Sequence, residues 1–135
     1  MINTTTILCI DDDQDDLAFL QEAISLQSSE YLVREAKNGE EALAYLEDAK
    51  SKNELPGFIF MDINMPKMDG KKAIQMIKAD EMLRHIPVAV FTTSSNIQDQ
   101  EYFQHYNVHY ITKPNHYGAF TSKVAEMLSQ HLNGR

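Results

Sequence analysis

Carboxylates crowd two places in this chain. Asp11, Asp12, Asp13, Asp15 and Asp16 follow the apolar run Ile7-Leu8-Cys9-Ile10, and Asp62 ends a second run, Phe58-Ile59-Phe60-Met61, which then breaks at Asn64 and Pro66. An ionised carboxylate held against an apolar core is costly unless something pairs with it or uses it, so Asp62 needs a partner. Two further apolar runs end in groups of complementary chemistry. Val88 to Phe91 leads into Thr92-Thr93-Ser94-Ser95, and His109-Tyr110-Ile111 leads into Thr112-Lys113-Pro114. A carboxylate nucleophile, a cation site, a hydroxyl and a lysine are together the parts for phosphoryl transfer to an aspartate. The carboxylate attacks, and the positive groups hold the transferring oxygens in line.

The cation follows from the donors. If Asp11, Asp12 and Asp62 converge, their mutual repulsion raises at least one pKa unless a positive charge neutralises them. The set is oxygen only, with no histidine or cysteine pair at metal spacing, which favours a hard cation over zinc. Magnesium suits a few carboxylates plus water and commonly shares its shell with a phosphate. A calcium loop counted from Asp11 through Asp13, Asp15 and Glu22 fails at its sixth position, where Asp16 stands in place of the required glycine. Asp13, Asp15 and Asp16 read instead as the cap and first turn of a helix, where acids face the positive end of the macrodipole.

Positioning these groups requires a particular alternation of elements. Strand-length apolar runs occur at Thr6 to Ile10, Tyr31 to Ala36, Phe58 to Met61, Val88 to Thr92 and His109 to Thr112. Between them the spacing turns helical, as in Leu17, Leu20, Ala23 and Ile24, in Ala73, Ile74 and Ile77, and in Phe120, Val124, Met127 and Leu128. Asn38-Gly39-Glu40-Glu41 reads as a helix start. The expected fold is α/β: a five-stranded parallel sheet in the flavodoxin-like order 2-1-3-4-5, with helices on both faces. Its working crevice lies at the carboxyl ends of the first and third strands, where strand order reverses. With no glycine-, proline- or serine-rich linker, residues 1–135 are read as a single domain with its core over about 5–132 and no output domain.

Composition excludes several classes. The 135 residues are 43% hydrophobic and 24% charged, ordinary for a folded domain. A net charge of -8 argues against direct binding of DNA, because proteins that neutralise phosphates carry basic surfaces. The one cysteine, Cys9, has no partner for an intramolecular disulfide and reads as a core residue. No apolar run reaches the length of a bilayer span, so membrane insertion is not expected and the chain reads as cytoplasmic.

Taken together, the paired acids after the first strand, Asp62-Ile63-Asn64-Met65-Pro66 through Asp69-Gly70, Thr92, and Lys113-Pro114 resemble the response-regulator receiver domain of two-component signalling. The resemblance covers nearly the whole chain and implies the receiver fold of the chemotaxis-regulator type. It implies that Asp62 accepts a phosphoryl group from a phosphohistidine on a sensor histidine kinase or phosphotransfer protein. It further implies that Asp12 ligates magnesium directly, Asp11 through water, and Asn64 through its backbone carbonyl. Thr92 and Lys113 would bind phosphoryl oxygens, and a cis bond before Pro114 would turn the lysine inward. Thr92 and the ring of Tyr110 would form the switch. Departures are visible too, since the extra aspartates make this edge unusually negative and Thr93 is bulkier than the small residue common after the switch threonine. With no output domain after the fifth helix, the chain most resembles stand-alone receivers, including those of phytochrome-type kinases.

On this reading the phosphorylated face binds an unknown downstream protein or a second copy of the chain. Tyr102, Phe103, Tyr106, Tyr110 and Tyr117 lie on or near the fourth helix, fifth strand and fifth helix; any that stay exposed would suit that surface, and the alternative is that most of them fill the core. A rival from another class is a haloacid-dehalogenase-type aspartyl phosphatase, for which Asp11-Asp12-Asp13 formally supplies the Asp-x-Asp motif. The strands argue against a third alternative, a histidine phosphotransfer protein, and none of His85, His105, His109, His116 and His131 sits in the four-helix pattern it would need.

Overall fold

The computed structural model describes residues 5–63, 70–92, 96–113 and 117–132. Strands and helices alternate as β1 (Thr5–Ile10), α1 (Gln14–Ser25), β2 (Tyr31–Ala36), α2 (Gly39–Ser51), β3 (Phe58–Met61), α3 (Gly70–Ala79), a turn of 3-10 helix (Leu83–His85), β4 (Val88–Thr92), α4 (Ile97–His105), β5 (His109–Thr112) and α5 (Tyr117–His131). The five strands are parallel in the order β2-β1-β3-β4-β5, as the alternation predicts.

Two cores flank the sheet because successive strand residues point to opposite faces. Leu8, Ile10, Ile59, Met61, Val88 and Val90 pack with Ala42 and Leu46 of α2, Ala73, Ile74 and Ile77 of α3, and Phe103 of α4. Ile7, Cys9, Phe58, Phe60, Ala89 and Phe91 meet Leu17, Leu20, Ala23 and Ile24 of α1 and Val124, Met127 and Leu128 of α5. β1, β3 and β4 therefore read as continuous apolar runs, since both faces are covered. Burying each large side chain contributes about 1.5–3 kcal/mol. Cys9 is fully buried, between Glu35 on β2 and Phe60 on β3 in the strand register, and burial pushes its thiol well above the usual range.

Local signals set the helix starts. Asn38 caps α2 by accepting from the Glu41 N–H at 2.8 Å, while the Glu41 carboxylate accepts from the Lys37 N–H at 3.0 Å. Gly70 opens α3 hard against the chain leaving β3: its N–H donates to the Ile63 carbonyl at 3.0 Å, and a Cβ there would lie 2.7 Å from the Ile63 Cα. Lys50 of α2 ties to Asp80, just past α3, at 2.6 Å. No helix among the described residues is long and apolar enough to cross a membrane.

Candidate functional site

Strand register brings the acids together. Ile10 and Met61 are paired across β1 and β3, so the next residues, Asp11 and Asp62, leave the sheet side by side. The Asp62 N–H donates to the Ile10 carbonyl at 2.9 Å and the Asp11 N–H to the Ala36 carbonyl at 3.0 Å, which fixes both backbones at the crevice where strand order reverses. Oxygens of Asp11, Asp12 and Asp62 lie within 4.8 Å of one another. Asp11 is buried, Asp62 half-buried and Asp12 exposed, giving one anchored wall and one open side. An all-carboxylate set at this spacing fits a hard divalent cation that keeps some of its water.

The electrostatics express the same need. Burial pushes the Asp11 carboxyl up to about 6, against the Asp13 N–H and the Lys113 ammonium, which lower it, and with the Asp62 and Asp16 charges, which raise it further. A buried anion beside two others is short of positive charge, and a cation would supply it. The Asp13 N–H donates to Asp11 Oδ1 at 2.9 Å, leaving Asp11 Oδ2 toward Lys113 at 3.3 Å.

Lys113 arrives from the end of β5. Its Nζ is 2.6 Å from Asp16, 3.3 Å from Asp11 and 4.0 Å from Asp62. Burial works against its charge, but the hydrogen bond to Asp16 and the charges of Asp11, Asp62 and Asp16 outweigh it and hold the ammonium above its ordinary pKa. Thr92 ends β4 fully buried, paired with Thr112 in the β4–β5 register. Tyr110 is half-buried against the α4 side of the core, its ring centroid 6.0 Å from that of Phe103. The sequence-predicted residues Asp11, Asp12, Asp62 and Lys113 therefore meet at one sheet edge, where the end of β4 also brings Thr92.

Other expectations come out differently or fall elsewhere. Asp16, read from sequence as a helix-turn acid, is the nearest partner of Lys113. No local pattern marks it, because its partner is 97 residues away. Asp13 does cap α1, accepting from the Asp15 and Asp16 N–H groups at 2.8 and 3.2 Å. Of the aromatic residues that the sequence leaves open between partner surface and core, Phe103 is fully buried, and Tyr102, Tyr106 and Tyr110 pack partly against the core. Asn64, Thr93 and Pro114, with the bond before it, lie outside the described residues, as does the side chain of Tyr117. An open groove at the opposite, amino-terminal end of the strands, between Thr5, Arg34, Tyr45 and Lys52, contains none of the phosphoryl-transfer parts.

Comparison with known proteins points the same way as the geometry. The family model of the response regulator receiver domain matches residues 7–125. Response regulator Rcp1 of Synechocystis sp. is 32% identical over 111 residues, covering 79% of this chain and 75% of that protein. The crystal structure of the phosphorylated cyanobacterial phytochrome response regulator RcpA superposes with a TM-score of 0.89 at 30% identity, covering 98% of this chain and 96% of that one. The Mn2+-bound form of Rcp1 gives a TM-score of 0.85 at 28% identity over 97% of this chain and 96% of that one. These likenesses do not favour the phosphatase alternative.

Proposed function

The chain belongs to the response regulator receiver domain family, the signalling module of two-component systems, and on that premise we propose that Asp62 is its phosphoacceptor. In the step that follows, a carboxylate oxygen of Asp62 attacks the phosphorus of a phosphohistidine on a sensor kinase or phosphotransfer protein. The new P–O bond forms as the P–N bond breaks, and the departing imidazole takes up a proton. Asp11 and Asp12, with Asp62, would hold Mg2+, and the family resemblance adds the carbonyl of Asn64. When bound, the cation offsets the charge on the transferring oxygens.

The protein's own groups do the rest. Lys113 supplies a positive charge at the same edge, and Thr92 a hydroxyl at the end of the neighbouring strand. Added phosphoryl charge would draw Thr92 toward it and let the half-buried ring of Tyr110 turn into the vacated space. The chain acts by presenting an altered face to a downstream protein or to a second copy of itself, through α4, β5 and α5, and not by turning over a small substrate. It works in the cytoplasm without contacting DNA.

The observation that carries this reading is the pairing of Ile10 with Met61, which sets Asp11 and Asp62 together at the reversal of strand order, with Lys113 spanning them. Intact-protein mass after incubation with acetyl phosphate, with and without Mg2+, tests it. Wild type should gain one phosphoryl group only with Mg2+, and Asp62→Asn none. Equal labelling of both proteins would move the acceptor elsewhere.

A further inference from the structure

We propose that Asp16 is a positioning residue of this site: it holds the Lys113 ammonium away from Asp62 and thereby sets how tightly a phosphoryl group is bound there. The inference rests on the reading of Asp62 as the phosphoacceptor. Its basis is the order of three distances. Lys113 Nζ lies 2.6 Å from Asp16 Oδ2, 3.3 Å from Asp11 Oδ2 and 4.0 Å from Asp62 Oδ2. The first is a short charge-assisted hydrogen bond, and the last is too long to be one. The cation shared by the cluster is therefore committed to its α1 side.

The placement of Asp16 is built, not incidental. Asp13 caps α1 by accepting from the backbone N–H groups of both Asp15 and Asp16, which fixes the turn that carries the Asp16 carboxylate. The neighbouring Asp15 offers the macrodipole the same charge and is exposed. Asp16, by contrast, meets a group from the far end of the chain, the Lys113 ammonium. Its side chain is 32% exposed and that of Lys113 15%, so water screens the pair only in part.

A phosphoryl group on Asp62 would bring close to two negative charges. To pair with one of its oxygens, Lys113 must leave or share Asp16, and the net gain is the difference between the two pairings. Asp16 thus weakens the phosphorylated state relative to a site without it. Asp16→Asn keeps the shape and one acceptor oxygen while removing the competing charge.

Beryllofluoride, which mimics the phosphoryl group, provides an equilibrium test. Its affinity in saturating Mg2+ is measured calorimetrically for the full chain, for Asp16→Asn, Asp15→Asn and Lys113→Gln, and for the double variant Asp16→Asn/Lys113→Gln. Asp16→Asn should tighten binding about 3- to 10-fold, the scale of a partly screened hydrogen bond between charged groups. Asp15→Asn should change it less than about 2-fold, because it removes the same charge without a contact to Lys113. In the Lys113→Gln background the Asp16 change should lose its effect, which a general loss of negative charge would not. Unchanged or weaker binding by Asp16→Asn, or equal tightening in both backgrounds, overturns the proposal while leaving Asp62 as acceptor. Failure of wild type to bind beryllofluoride at all would instead overturn the reading of Asp62, and this inference with it.

Discussion

The backbone N–H of Lys113 donates to the carbonyl of Thr92 at 2.6 Å, joining the two residues proposed to bind phosphoryl oxygens through a single bond between the ends of β4 and β5. A displacement of Thr92 toward the phosphoryl group is then felt along β5, where Tyr110 lies two residues before Thr112. Thr92→Ala keeps the backbone bond and removes the buried hydroxyl. With beryllofluoride and Mg2+ present, the wild type should show shifted NMR resonances for the Tyr110 ring, and the variant should lose most of that shift while its stability changes by only about 1 kcal/mol. Equal shifts in both proteins would remove Thr92 from the switch.

Asp11 is a cost to the metal-free fold. It is buried beside two other carboxylates, and the Lys113 ammonium at 3.3 Å offsets only part of the cost of its burial; Asp11→Asn keeps the Oδ1 acceptor for the Asp13 N–H. Thermal unfolding in chelator should show the variant more stable than wild type by about 1–3 kcal/mol. Added Mg2+ should raise the wild-type midpoint and leave that of the variant nearly where it was. A destabilised, still Mg2+-responsive variant would contradict the assignment.

At the other end of the crossover, Asp80 should shape the acid limb of the stability curve. The Lys50 ammonium, and then the Leu83 and Met82 N–H groups, hold its carboxyl down at about 2. Because the folded pKa lies below the ordinary 3.8, its stabilisation is complete above that value and is lost as pH falls toward 2. Asp80→Asn should therefore unfold at lower urea than wild type at pH 7, and the two curves should converge near pH 2. A gap independent of pH would mean that packing, not charge, is the cause.

Gly70→Ala places a methyl group 2.7 Å from the Ile63 Cα, against backbone that cannot swing aside. The α3 start must move away from the residue following Asp62, with a loss of about 1–3 kcal/mol in chemical denaturation. Mg2+ affinity should fall as well, since Ile63 follows Asp62, a proposed ligand. Unaltered stability would show that the chain there relaxes freely.

Much of the fold was legible because each strand buried on both faces writes an uninterrupted apolar run, and Phe58 to Met61 or Val88 to Phe91 admits few other readings. The strand ends then place Asp11, Asp62, Thr92 and Lys113 on one edge with no further information. What escaped was tertiary. Asp16 occupies a position where an acid already has a sufficient local reason, the helix dipole, and nothing nearby distinguishes it from Asp15. The aromatic residues of α4 and of its C-cap, Tyr106, are similar. Phe103 is fully buried while Tyr102 and Tyr106 are only half-buried, and a nine-residue helix with rings at adjacent positions does not declare which one faces inward.

Cys9 is the penultimate residue of β1, with strands paired on both sides, and its thiol is fully buried beneath α1 and α5. An alkylating reagent can reach it only when the layer of α1 and α5 lifts from the sheet, so the rate of its modification is a clock for that opening. The chain has no other cysteine to confuse the signal. Whatever ties Asp11 and Asp62 together at the carboxyl ends of β1 and β3, cation or phosphoryl group, should slow that clock without touching the sulfur.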